Sequence, residues 1–153
     1  NKVFISADSQ SSSQIGDISR FKDVDFMSPT EYEARIALND RESGLVVLAE
    51  KLRKKTNVKN IFLTLNADGI LIHANPKIKL KSDLTDKITS LNKFPRDPSG
   101  AGDTLLTLSS LCLCAGANIW EAAYLGSLAA ALQVGRVGNN PMNISDVISY
   151  LEK

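Results

Sequence analysis

Asp97-Pro98-Ser99-Gly100-Ala101-Gly102-Asp103 is a turn of small residues bracketed by two carboxylates, and an apolar, helix-compatible run from Thr104 to Ala115 follows it directly. Such a turn leaves backbone N–H groups open at a helix start, where an anion can bind. Gly100 and Gly102 permit close backbone approach and positive φ. Asp103 falls in the first helical turn, where a carboxylate is stabilised in its ionised form. The same spacing also fits an ordinary helix N-terminus with a capping Asp. Read as chemistry, an anion cradle beside a carboxylate suits phosphoryl transfer to a hydroxyl. The cradle holds the developing phosphoryl charge, and the carboxylate accepts the hydroxyl proton.

With Thr104 added, the turn resembles the signature Asp-x-[Thr/Ser]-Gly-Ala-Gly-Asp-[Thr/Ser] of the PfkB/ribokinase family of carbohydrate kinases. Four further segments resemble that family in its own order. Glu31-Tyr32-Glu33-Ala34 is similar to the end of its Asn-x-x-Glu region. Phe62-Leu63-Thr64-Leu65-Asn66-Ala67-Asp68-Gly69 is similar to its nucleotide-side strand and turn. Glu121 to Ala131 resembles the Ala-rich helix behind the nucleotide, and Val134-Gly135-Arg136-Val137-Gly138 the turn that closes the ion site. The nearest subgroup is the heptose-phosphate kinases, of the ADP-heptose synthase kinase-domain type. The resemblance implies a ribokinase-like three-layer αβα fold with a mostly parallel sheet, of which residues 1–153 are the C-terminal, nucleotide-binding and catalytic part. The family's sugar-binding residues lie mostly upstream of Asn1. The implied reaction moves the ATP γ-phosphate to a sugar or sugar-phosphate hydroxyl, with the isolated piece inefficient on its own.

Size and composition agree with one domain's worth of chain. The 153 residues are 43% hydrophobic, enough for a proper core. The net charge of +1 supplies no bulk field favouring nucleic acid or membrane, and no apolar run is long enough to cross a bilayer. Lys51-Leu52-Arg53-Lys54-Lys55 is basic but closes an amphipathic pattern, so it reads as a solvated helix end. Cys112 and Cys114, two apart in an apolar helix, point to different faces and read as buried reduced thiols of a cytoplasmic protein. Asn1-Lys2-Val3-Phe4-Ile5-Ser6 begins inside strand-like sequence, which points to a fragment. An unpaired edge there invites self-association, a homodimer being the simplest form.

Along the chain, Val3–Ser6 and Val24–Met27 read as short strands, and Ser9 to Gly16 as a polar loop containing Ser11-Ser12-Ser13. Thr30 with Glu33 three residues on predicts a capping box and a helix to about Leu38, broken by Asn39-Asp40-Arg41. Gly44 to Lys55 repeats Leu45, Leu48 and Leu52 on one helical face. Asn60–Leu65 and Gly69–Ala74 read as strands joined by a turn, Lys77–Lys81 as an exposed edge strand, and Ser82 to Arg96 as a polar loop with the make-up of a lid. Helices are expected near Ala101–Ala115, Ile119–Val134 and Ser145–Glu152. Strands mixed with crossover helices place ligands beyond the C-terminal strand ends.

The resemblance assigns roles residue by residue. Asp103 would be the general base, with the backbone N–H groups of Gly100, Ala101 and Gly102 as the anion hole. Thr64, Asn66, Gly69, Gly102 and Ser127 would meet ATP. Glu31 would organise Mg²⁺ through water, and Asp97 and Ser99 would hold K⁺. Pro98 stands where the family usually has Val or Thr and Asn66 where Gly is common, and three further positions depart from the pattern. Ser28 stands where the family has Asn, Ser127 where Asn is often found, and Asn139 where Thr or Ser is usual. Ser is shorter than Asn and lacks its amide donor. These departures keep a non-catalytic nucleotide-binding or assembly module open as an alternative. A vitamin-precursor kinase of the same superfamily is another, although those often carry Gly-Thr-Gly at 100–102. His73, the single histidine, reads as structural, as does Trp120. No P-loop, Gly-x-Gly-x-x-Gly after a strand, Gly-x-Ser-x-Gly or paired-Cys zinc spacing occurs.

Overall fold

The computed structural model describes residues 3–10, 14–76, 84–138 and 140–152. The expected edge strand at Lys77–Lys81, the serine run 11–13 and Asn139 fall outside the described residues. The chain divides into two compact units, Asn1–Ile88 and Thr89–Lys153.

The first unit is a five-stranded sheet in the order β1 (Ser6–Ala7), β2 (Phe26–Met27), β3 (Asn60–Thr64), β4 (Ile70–His73) and β5 (Thr85–Ile88). β1, β2 and β3 pair in parallel, while β4 is antiparallel to both β3 and β5. Four of the five strands therefore run one way, and only β4 runs against them. The parallel pair β2 and β3 is joined through α1 (Glu31–Leu38) and α2 (Leu45–Thr56), the crossover that parallel pairing requires. The hairpin β3–β4 turns through Asn66–Asp68, and Asn66 (φ 53°) and Gly69 (φ 90°) supply the left-handed backbone it needs.

Strands β3 and β4 are apolar on both sides, and Ile61, Phe62, Leu63, Ile70, Leu71 and Ile72 are all buried. On one face Met27, Ile61, Leu63 and Leu71 pack with Leu48, Ala49 and Leu52 of α2. On the other, the rings of Phe26 and Phe62 meet edge to face with centroids 4.7 Å apart. The segment expected as a lid-like loop instead contains β5. Its sequence, Thr-Asp-Lys-Ile, has only one apolar residue, because an edge strand earns little from burial.

Helix ends follow local chemistry. Thr30 accepts from Glu33 N–H (3.1 Å) while Glu33 Oε2 accepts from Thr30 N–H (2.7 Å), the expected capping box. Asn39 ends α1 in the left-handed region at φ 50°. The basic end of α2 is engaged by acceptors: Lys51 meets Asp40 at 2.6 Å, Arg53 meets Glu50 at 2.6 Å, and Lys55 Nζ donates to Ala37 O.

His73 is buried in β4 and fully satisfied. Its Nδ1 lies 2.9 Å from Thr85 Oγ1 and its Nε2 2.9 Å from Glu50 Oε2. The structural reading of His73 stands, with an acidic neighbour that sequence proximity does not show. Hydrogen bonds from Arg53 chiefly, and from His73, pull the Glu50 carboxyl from 4.5 down to about 2. A depressed carboxylate stabilises the fold fully above its unfolded value and loses that contribution as pH falls through its folded one. We therefore expect Glu50→Gln to melt below the parent at neutral pH. The deficit should shrink as the pH is lowered from 4.5 towards 2. Melting curves across that range check this, and a deficit that is constant with pH would remove Glu50's charge as the cause.

The second unit holds α3 (Ala101–Cys114), α4 (Ile119–Val134) and α5 (Ile144–Leu151). α3 packs along α4, and Leu128 and Ala129 of α4 cluster with Val147 of α5. Asn118 caps α4 by accepting from Trp120 and Glu121 N–H, with Glu121 reaching back to Asn118 N–H. The cysteines differ from expectation. Cys112 is half-buried and Cys114 is exposed, because α3 packs through Leu105 and Ser109 and its C-terminal turn runs past the packed face. Burial, and secondarily Glu121, pushes the Cys112 thiol above its usual range. Among the described residues no helix is long and apolar enough to cross a membrane.

Candidate functional site

In the first unit the predicted residues collect at the C-terminal ends of β2 and β3. Ser28-Pro29-Thr30 leaves β2 and runs beside the end of β3. Pro29 O accepts from Thr64 N–H at 2.8 Å and, more loosely, from Thr64 Oγ1 at 3.4 Å, and Thr30 bridges Thr64 in parallel. Ser28 is 2% exposed, and its hydroxyl is buried without a hydrogen-bond partner among the described residues. Glu31 opens α1, and its carboxylate meets Arg35 one turn on. Thr64, Asn66 and Gly69 follow one another through the end of β3 and its turn, and Asn66 and Ala67 are exposed. Parallel strand ends beside a helix start are where ligands meet α/β sheets.

In the second unit the site is the start of α3. Gly100 caps the helix in the left-handed region at φ 77°, a conformation that L side chains rarely adopt. Ala101 N–H bonds back to Pro98 O at 3.2 Å, so it is turned partly into the chain rather than outward as expected. Gly100, Gly102 and Asp103 have no acceptor for their N–H groups among the described residues. The N–H groups left open at this turn among the described residues are thus those of Gly100, Gly102 and Asp103. A Cβ built on Gly102 would meet nothing within 4 Å. Packing among the described residues therefore does not require a glycine at this position. Asp103 is exposed in the first turn of α3, at the rim of a groove of about 350 Å³ lined in part by Thr104, Thr107, Leu108, Met142 and Asn143.

Asp97 ties this turn to the end of α4. Its Oδ1 accepts from Ser99 N–H and its Oδ2 from Gly138 N–H, both at 2.9 Å. The Ser99 bonds chiefly, and Gly138 next, hold its carboxyl below the usual range. Val134 O accepts from Arg96 N–H (2.7 Å) and Asp97 N–H (3.2 Å), and the buried Gln133 side chain donates to Ser99 O at 3.4 Å. The Asp97–Ser99 turn and the Val134–Gly138 turn are therefore one hydrogen-bonded structure. Ser127, in α4, has a buried hydroxyl with no hydrogen-bond partner among the described residues. Gln133 was not foreseen. Nothing marks it in sequence: it is one polar residue of α4 among others, Glu121 and Ser127 included.

Residues 2–145 match the sequence pattern of the pfkB family carbohydrate kinases. The chain belongs to that family. Among its relatives is the bifunctional protein HldE of Helicobacter hepaticus, 29% identical over 139 residues. HldE of Sulfurimonas denitrificans is 28% identical over 138 residues. Each alignment takes in 88% of this chain but only 27% of the relative, so the chain spans about a quarter of those proteins. Solved structures agree on the ribokinase-like fold. Thermotoga maritima ribokinase superposes with a TM-score of 0.72 over 85% of this chain and 43% of that one, at 24% identity. The Arabidopsis thaliana ribokinase complexed with ribose and ATP superposes at 0.78 over 99% and 48%, with 19% identity. Escherichia coli phosphofructokinase-2 in complex with potassium gives 0.70 over 89% and 44%, with 16% identity.

Proposed function

We propose that this chain is the nucleotide-binding and catalytic part of an ATP-dependent kinase that phosphorylates a hydroxyl of a sugar or sugar phosphate, a heptose phosphate being the acceptor that the HldE relatives suggest. One observation carries the reading: the start of α3 sets open N–H donors and an uncrowded Gly102 beside an exposed Asp103. Oriented N–H groups aimed at developing phosphoryl charge stabilise the transition state without reorganising. Asp103 takes the proton of the attacking hydroxyl as the new oxygen–phosphorus bond forms and the bond from the γ-phosphorus to the bridging oxygen breaks, with ADP leaving. The family resemblance assigns nucleotide-side roles to Thr64, Asn66 and Gly69 of the first unit and to Ser127 of the second.

Glu31 fits an outer-sphere role towards Mg²⁺. It is a single, 39%-exposed carboxylate, and Mg²⁺ keeps most of its shell as water and phosphate oxygens. Mg²⁺ bound there would neutralise phosphate charge. Asp97 and Ser99 offer oxygens to K⁺, since each Asp97 oxygen accepts only one N–H. A second reading, a nucleotide-binding module without turnover, draws on the partnerless hydroxyls of Ser28 and Ser127, where the family pattern places longer amides.

The test is γ-phosphate transfer from labelled ATP by the full-length protein against a panel of heptose phosphates, hexoses and vitamin precursors. Transfer to a sugar or sugar phosphate supports the kinase, and ATP binding with no transfer to any acceptor supports the second reading. Gly102→Ala sharpens the result. With nothing within 4 Å of the new methyl, folding should be unharmed, and a helical Gly→Ala exchange even gains about 0.5–1 kcal/mol. Transfer should nevertheless fall, because the methyl occupies the space above the open donors. An equally active Gly102→Ala protein would place the phosphate elsewhere.

A further inference from the structure

We propose that Arg35 is a positioning residue that sets the orientation of the Glu31 carboxylate for the metal, an inference that rests on the Mg²⁺ role proposed for Glu31. Arg35 Nε and Nη2 both reach Glu31 Oε1, each at 2.7 Å. Glu31 Oε2 has no hydrogen-bond partner among the described residues, so one oxygen is held and the other is presented. A Glu–Arg pair one helical turn apart is common, and on its own it would be a loose surface contact.

What distinguishes this pair is the far side of the guanidinium. Arg35 Nη1 donates to Ser43 O at 3.2 Å and, more weakly, to Asp40 O at 3.4 Å. Those carbonyls belong to the 39–44 connector, which is itself fixed. Asp40 Oδ1 accepts from Glu42 and Ser43 N–H, and Lys51 of α2 donates to both Asp40 Oδ2 (2.6 Å) and Ser43 Oγ (2.9 Å). The planar fork of Arg35 thus spans from a braced connector to Glu31, and its side chain is only 24% exposed. Lys would carry the same charge but cannot bond on two sides in fixed geometry. An outer-shell group such as Glu31 typically matters by about 10–100-fold in metal affinity, and a residue that acts by orienting it can shift affinity by no more than that.

The experiment measures equilibrium binding of trinitrophenyl-ATP to the full-length protein at stepped Mg²⁺ concentrations, for the parent, Arg35→Lys, Arg35→Gln, Glu31→Gln and the Glu31→Gln/Arg35→Lys double variant. Arg35→Lys should raise the Mg²⁺ midpoint about tenfold and leave Mg²⁺-free nucleotide affinity unchanged. In the Glu31→Gln background the same exchange should move the midpoint less than about twofold, because residues acting as a unit are not additive. An additive effect would mean that Arg35 acts by some route other than Glu31, and would overturn the inference. Arg35→Gln should also raise the midpoint; a lowered one would show the cation competing with the metal, again overturning it. A midpoint that Glu31→Gln leaves unmoved would remove Glu31 from the metal and Arg35's role with it. A midpoint moved by Glu31→Gln but not by Arg35→Lys would overturn the Arg35 inference alone.

Discussion

Asp103→Asn is expected to lower phosphoryl transfer by about two to four decades, the usual cost of losing a general base. The substitution is nearly isosteric and changes little else. Asp103 is exposed in the first turn of α3, so its carboxylate supports the helix by only about 0.3–1 kcal/mol through the dipole. The amide cannot accept the hydroxyl proton, yet the N–H groups of Gly100, Gly102 and residue 103 remain in place. ATP affinity should therefore hold within about a factor of two, or tighten slightly as a negative charge leaves the anion's neighbourhood. Rapid-quench measurement of transfer, with nucleotide binding measured separately, distinguishes the two effects. Near-normal transfer by Asp103→Asn would take Asp103 out of the mechanism. Equal loss of transfer and of ATP binding would make it a binding residue instead.

The features that were legible in the sequence are those decided within a few residues. The Thr30–Glu33 capping box, the helix break at Asn39, the Asn66–Gly69 turn and the span Ile119–Val134 depend on caps, turn residues and apolar period, and each stands where expected. The start of α3 was also legible, since two glycines before an apolar run fix its backbone. What was missed depends on distant partners. β5 is a strand because Ile70–His73 pairs with it, not because Thr-Asp-Lys-Ile favours extension. His73 meets Glu50 from 23 residues away, and no local pattern joins a strand histidine to a helix glutamate. Cys114 is exposed because the packed face of α3 ends before it. The tie from Asp97 to Gly138 spans 41 residues and was reachable only through the resemblance, which placed the two turns at one ion site. Arg35 shows the same limit from the other side. Its pairing with Glu31 is readable from spacing, but its anchorage to Ser43 O is not.

The second large effect concerns stability. Gly126→Ala should destabilise the helical unit by a few kcal/mol, a typical cost of overpacking a tight interface. A Cβ at Gly126 would lie 2.0 Å from Ser109 Oγ and 3.1 Å from both Leu105 Cδ1 and Leu105 O. Ser109 cannot yield freely: it is fully buried, and its hydroxyl donates to Ala122 O at 3.1 Å. Rotating it away would strand a buried hydroxyl, which costs about 1–3 kcal/mol. Leu105 O is backbone of α3, so relieving that contact means parting α3 from α4. Against this stands the gain of about 1 kcal/mol for replacing a helical glycine by alanine, too small to compensate. At about 2–4 °C per kcal/mol for a chain of this size, the melting temperature should fall by roughly 5–10 °C. The damage should reach the site as well, because α3 carries Asp103 while the end of α4 holds the Asp97 turn through Val134 O and Gln133. Ser109→Ala in the same protein removes the 2.0 Å obstruction and should restore part of the loss, leaving the Leu105 contact as the remainder. Calorimetry on the parent, the single variants and the double variant measures this, and a Gly126→Ala protein that melts with the parent would show that α3 and α4 have slack the geometry denies.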